Sequence, residues 1–257
     1  MGIVAKRIAM AKSHLKIMEN KYTNETNLSI KQSKIYSPKD FLQKPHIKYT
    51  HYANLSFKEE NTAHAANNLK NIYPNLKTAI LNFADYLTPG GGYLNGSGAQ
   101  EEVLCHESNL YSVLTNFTDF YQWNREHINH HLYQNRAIYS PNIVFTNLDG
   151  TLVNKFDVIT CAAPCYNRAN FDNISYRIAC EVLQNRMYFV KTIAEENHVN
   201  NLILGAWGAG AFGFRGKEVA KMWHQNWAES SSVENVCFAV IEHISTNNVD
   251  IFEAEFS

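Results

Sequence analysis

The chain carries no marked charge of either sign: 23 Lys and Arg against 24 Asp and Glu leave a net charge of −1. That excludes a general electrostatic footprint for nucleic acid, so any phosphate must be held locally, by backbone groups or a few side chains. Charged residues are scarce as well, 18% of the 257 residues against the ~25% usual in soluble domains. No apolar run could cross a bilayer, since the longest, residues 202–214, has thirteen residues and is rich in glycine. The basic N-terminus MGIVAKRIAMAKSHLK has no apolar signal core and no cleavage site. Paired cysteines are missing too. The five, Cys105, Cys161, Cys165, Cys180 and Cys237, are odd in number and scattered. Cys161 and Cys165 flank Pro164, with no second pair to complete a zinc or redox motif. His130-His131 reads as helix surface rather than a metal site. These absences favour a reducing, cytoplasmic setting without membrane partners, and leave open export into a host by a non-cleaved signal. No internal repeat or low-complexity linker divides the chain.

What is present is an alternation of short apolar runs with helical patterns. Strands are expected at residues 27–36, 78–83, 143–146, 157–162, 202–206 and 236–241. Helices are expected at residues 6–21, 57–71, 100–114, 117–131, 173–198 and 217–227, with a short acidic tail at the end. Ser37-Pro38 starts a turn into residues 39–43. The pattern predicts an α/β fold whose sheet is largely covered on both faces. A hydrophobic fraction of 45% supplies the core.

Two glycine loops each follow an apolar strand and precede a helix. The first is Pro89-Gly90-Gly91-Gly92, followed after seven residues by Gln100-Glu101-Glu102. The second, residues 205–216, contains Gly208-Ala209-Gly210-Ala211-Phe212-Gly213. That run satisfies the dinucleotide pattern G-x-G-x-x-G, but a Rossmann fold needs several further strands after its first glycine turn. Only one clear strand follows here. A P-loop fails as well, because Gly216-Lys217 is followed by Glu218 rather than Ser or Thr. If the two strands are neighbours, both loops open at the sheet edge where α/β proteins bind ligands, and their backbone N–H groups suit a diphosphate. Glu101 and Glu102 open the helix after the first loop. They serve its dipole, or one of them acts on what the loop holds.

The segment from Asn82-Phe83-Ala84-Asp85 through the three glycines to Gln100-Glu101-Glu102 resembles the signature of microbial poly(ADP-ribose) glycohydrolases, a branch of the macrodomain superfamily. Residues 157–164 resemble the family's central strand and loop, residues 205–213 its diphosphate loop, and the basic N-terminal helix its bacterial accessory region. The resemblance implies a three-layer α/β/α mixed sheet with an N-terminal helical extension. It forms a single macrodomain-type domain: an accessory region in residues 1–75 and the ADP-ribose-binding core in residues 76–257. It also implies exo-type hydrolysis of the ribose–ribose O-glycosidic bond. Glu102 would be the catalytic carboxylate, Glu101 would bind a ribose hydroxyl, and Gln100 would orient the site. Asn82 would bind substrate, and Gly90, Gly91 and Gly92 would approach the ribose and phosphate. Gly208, Ala209, Gly210, Ala211 and Gly213 would wrap the diphosphate, with Phe212 on the distal ribose. Many macrodomains have Asn where this chain has Asp85. An ionised Asp only accepts hydrogen bonds, so Asp85 would meet ribose hydroxyls as an acceptor.

Adjacent carboxylates cannot flank a glycosidic bond in the ordinary way. Neighbours on a helix point about 100° apart, so Glu101 and Glu102 are expected to have separate tasks. The expected mechanism has Glu102 protonate the departing 2′-oxygen and then act as base for water. Enclosure with a diphosphate would favour its neutral form. No metal or cofactor is called for. Three functions remain open: cleavage of poly(ADP-ribose), cleavage of another ADP-ribosyl bond on protein or nucleic acid, and binding of ADP-ribose without cleavage. The expected partners are accordingly ADP-ribose, its polymer or ADP-ribosylated proteins, with nucleic acid only as a modified substrate.

Overall fold

The computed structural model describes residues 2–42, 49–242 and 246–257. Gln43, the end of the turn expected after Pro38, lies outside them. The chain opens with helices α1 (Ile3–Lys21) and α2 (Thr23–Gln32), strand β1 (Lys34–Tyr36) and helix α3 (Pro38–Leu42). Strand β2 (Asn54–Lys58), helix α4 (Thr62–Ile72) and strand β3 (Thr78–Phe83) follow. After the first glycine loop come α5 (Gln100–Glu107), α6 (Leu110–Leu114) and α7 (Thr118–Glu126), then the hairpin of β4 (Ala137–Thr146) and β5 (Leu152–Cys161). The last part comprises α8 (Tyr166–Ala169), α9 (Tyr176–Glu196), β6 (Asn201–Leu204), α10 (Gly216–Trp227), β7 (Asn235–Ala239) and α11 (Asn248–Phe256).

The strands form one seven-stranded mixed sheet in the order β1-β4-β5-β3-β6-β7-β2. The β1–β4 and β4–β5 pairs are antiparallel, and the others are parallel. Alternate residues of β3 separate the two cores. Ala79 and Leu81 join the cluster under α9, α10 and α11, while Ile80 joins the one under α4, α5 and α6. The three-layer α/β/α arrangement is thus built on the period-two alternation of a strand buried on both faces. β3 and β6 are hydrogen-bonded neighbours. Both glycine loops therefore open at the same end of the sheet. Among the described residues no helix is long and apolar enough to cross a membrane.

Several sequence expectations need correction. Residues 27–32 belong to α2, and only Lys34–Tyr36 are extended. Ser33 ends the helix by returning both its N–H and its Oγ to the Ser29 carbonyl. Residues 57 and 58 lie in β2, against β7, and α4 starts only after Asn61, whose side chain caps the His64 N–H. The expected helix 100–114 is broken at Ser108 and Asn109, where the Ser108 hydroxyl bonds the Leu104 carbonyl and the Asn109 N–H pairs with Val144 of β4. The helix expected to reach residue 131 ends at Glu126. His130 and His131 sit instead in a loop, both with positive φ. The acidic tail is the helix α11, whose Phe252 and Phe256 pack on Phe238. Its acids face out while its aromatics close the core.

Candidate active site

β3 ends where the site begins. Its inner partner β6 diverges after the pairing of Ile80 with Ile203, which would leave the Leu81 carbonyl and the Phe83 N–H open on that side. Gln100, the first residue of α5, fills the gap. Its Oε1 accepts from Phe83 N at 2.8 Å and its Nε2 donates to Leu81 O at 2.9 Å, with Thr62 Oγ1 at 3.3 Å as a second acceptor. One amide side chain thus takes the place of a strand and ties the start of α5 to the sheet.

The next two residues point apart. Glu101 turns into the sheet: Oε1 accepts from Asn82 Nδ2 at 3.0 Å and Oε2 from the Asp85 N–H at 2.7 Å. It is 3% exposed, and burial pushes its pKa up to about 8, against the lowering effect of the Asp85 N–H and Asn82. The Asn82 amide also reaches Thr160 Oγ1 of β5 at 3.4 Å, while its Oδ1 is buried with no hydrogen-bond partner among the described residues. Glu102 turns toward the glycine loop. Oε1 accepts from Gly92 N and Oε2 from Ala99 N, both at 2.8 Å. The second bond is a capping interaction with the helix start, so helix-terminal charge and placement beside the loop coexist in one residue.

The glycines are required by this packing. Gly91 has φ +55°, and a Cβ there would sit 2.5 Å from Glu102 Oε1 and 3.1 Å from Glu101 Oε2. The two carboxylates therefore flank one backbone position that only glycine can occupy. Gly90 lies over Cys105 and Tyr111 in the same way. Asp85 is exposed and uses Oδ1 to accept from the N–H groups of Leu87 and Thr88, at 2.7 and 2.8 Å. One of its oxygens thus shapes its own loop.

The second loop folds on itself through bonds from Ala209 N to Ala206 O, Gly213 N to Gly210 O and Phe214 N to Gly208 O. The N–H groups of Gly208, Gly210, Ala211 and Phe212 make no hydrogen bond among the described residues. A row of unpaired backbone donors of this kind can hold an anion. Asn167 of α8 clamps the loop, its N–H on the Phe212 carbonyl at 3.2 Å and its Nδ2 on the Ala211 carbonyl at 3.0 Å. Phe212 is half-buried and packs against a cluster that includes Ala84, Tyr86, Tyr133, Ala162 and Cys165. Because Ala84 adjoins Asp85, this cluster joins the second loop to the end of β3. Behind it, the fully buried Arg186 donates to the carbonyls of Ala162 and Leu132 and to Asn135 Oδ1, each at 3.0 Å.

Every residue expected at the site lies at this end of the sheet. Sequence reasoning missed Thr62, Thr160, Asn167 and Arg186. Each reaches the site through contacts with a distant part of the chain, and only Thr160 lies in a segment the sequence had singled out. Cys161 and Cys165 are buried free thiols.

Residues 7–147 match the family described as microbial-type PARG, catalytic domain. Among solved structures, the chain is similar to the poly(ADP-ribose) glycohydrolase of Thermomonospora curvata, with 26% identity, a TM-score of 0.88, and coverage of 98% of this chain and 100% of that one. A structure of the Thermomonospora curvata glycohydrolase bound to the inhibitor ADP-HPD matches at 26% identity and a TM-score of 0.86, with the same coverage. The glycohydrolase of Deinococcus radiodurans in complex with ADP-ribose matches at 27% identity and a TM-score of 0.80, covering 90% of this chain and 96% of that one. No curated protein matches the sequence.

Proposed function

The chain belongs to the microbial-type poly(ADP-ribose) glycohydrolase family, and we propose that Glu102 is the acid–base group with which it removes ADP-ribose from poly(ADP-ribose). One observation carries this reading. Glu102 is held against Gly91 by two backbone N–H bonds, at the end of the sheet where the second loop leaves four N–H groups unpaired. In our reading a diphosphate occupies those donors and the attached ribose extends toward Gly91, with its hydroxyls on Glu101, Asn82 and Asp85. We assign the ADP-ribose-binding core to residues 76–257 and an accessory part to residues 1–75, which contributes Thr62 to the Gln100 amide.

The reaction then balances as follows. The bond from the anomeric carbon to the 2′-oxygen of the neighbouring unit breaks as the Glu102 carboxyl gives its proton to that oxygen. The cation developing on the ribose is stabilised by the adjacent diphosphate. Water adds its oxygen to the anomeric carbon and returns a proton to Glu102. Glu101 and Asn82 form a buried pair suited to orienting hydroxyls, and the raised pKa of Glu101 lets it meet them as donor or acceptor. The unpaired thiols fit a reducing compartment.

Glu102→Gln is the test. It is expected to keep ADP-ribose affinity and to lose turnover by a factor on the order of 10² or more. Retained turnover would remove Glu102 from the acid role. Incubation with poly-modified and mono-modified protein separates the wider alternatives. Release of ADP-ribose only from polymer supports the reading, release from mono-modified protein makes the enzyme a hydrolase of another linkage, and tight binding without release makes it a reader.

A further inference from the structure

The proposed reaction accounts for one ADP-ribose unit. The polymer continues past the scissile bond, and each further unit carries an anionic diphosphate. Helix α1 is placed to meet it. The helix has four cations, Lys6, Arg7, Lys12 and Lys16, before its first carboxylate, Glu19, in a chain whose net charge is −1. Lys6, Lys12 and Lys16 are exposed.

This helix lies directly on the segment joining the glycines to the glutamates. Gly96 has φ +79°, and a Cβ there would sit 2.6 Å from the Val4 carbonyl oxygen. The Tyr93 hydroxyl reaches the Ala11 carbonyl and His14 Nδ1, both at 3.2 Å. The guanidinium of Arg7 is seated on Gly98, its three terminal atoms filling the space a side chain would need. The residue after Gly98 is Ala99, whose N–H holds Glu102. Arg7 is half-buried and forms no ion pair or hydrogen bond among the described residues. Burial first, and then the Arg7 cation, lower the pKa of His106. An arginine at the lip of an acidic site, paired with neither glutamate, offers a fork suited to phosphate oxygens.

We propose that Arg7 docks the diphosphate of the polymer unit on the leaving side of the scissile bond, so that α1 favours polymer over a single attached ADP-ribose. The proposal rests on the Glu102 reading above. Its test is the Michaelis constant for poly(ADP-ribose) across a salt series, beside calorimetric affinity for free ADP-ribose. Arg7→Gln is expected to raise that constant roughly fivefold or more and to flatten its salt dependence. Arg7→Lys restores most of the loss, and free ADP-ribose binds within about twofold of wild type in each variant, since it ends at the anomeric carbon. An unchanged Michaelis constant and salt slope overturn the proposal. If Arg7→Gln fails to fold, Arg7→Met, which keeps an apolar stem over Gly98, carries the test, and an unchanged Michaelis constant and salt slope there overturn it equally. A wild-type protein that releases nothing from polymer refutes the function itself rather than this inference.

Discussion

Single residues decide how the carboxylates are presented. At Gly91 an alanine would carry a methyl group into Glu102 and would hold a left-handed backbone at roughly 1–2 kcal/mol. Gly91→Ala is expected to cost about 100-fold in turnover, because a displacement of the order of 1 Å at a reacting group has that effect. Thermal denaturation should show only a modest loss beside it. Glu101 yields a prediction in pH. Its pKa is raised from 4.5 to about 8 in the folded chain, so its contribution to stability is fully present below about 4.5 and is lost as pH rises through about 8. Urea denaturation should show stability declining across that window, and Glu101→Gln should flatten the decline. A decline of unchanged size in the variant assigns it to another group.

At the scale of elements, the short bridge made by Gln100 registers α5 against β3. Gln100→Ala leaves the Leu81 carbonyl and Phe83 N–H without their partner. A loss of roughly 1–3 kcal/mol follows from unpaired backbone groups of this kind, measurable by denaturation, together with lower turnover as α5 drifts. Helix α1 has its own pH signature. Burial first, and then the neighbouring His106, lower the His14 pKa from 6.5 to about 4. Its contribution is therefore lost as pH falls from about 6.5 through about 4, opposite in sign to that of Glu101. His14→Gln should remove that acid-side slope. The same scale shows what was legible in the sequence. The strand, the three glycines and the acidic helix start stood out because turn, charge and period lie within a few residues of one another. Strand β2 and helix α11 did not, because their partners are remote: Phe57 pairs with Phe238 of β7, and Phe256 stacks on that same ring. Asn167 and Arg186 were illegible for the same reason, since their acceptors are carbonyls of other segments.

In the whole molecule, both margins of the sheet are supplied by residues before 60. β1 closes one side against β4 and β2 closes the other against β7. The accessory region and the core should therefore unfold together, with one transition and coincident signals from circular dichroism and tryptophan fluorescence. Residues 76–257 expressed alone would expose the edges of β4 and β7 and are expected to aggregate. Separate transitions for the two regions would refute this. The distant pairing also bears on biosynthesis. Asn54 meets Asn235 across 181 positions, so β2 leaves the ribosome long before the strand it must join exists. Nearly the entire polypeptide must emerge before the sheet can close. Until then an early strand is exposed to other chains, and a nascent-chain chaperone would be useful to it.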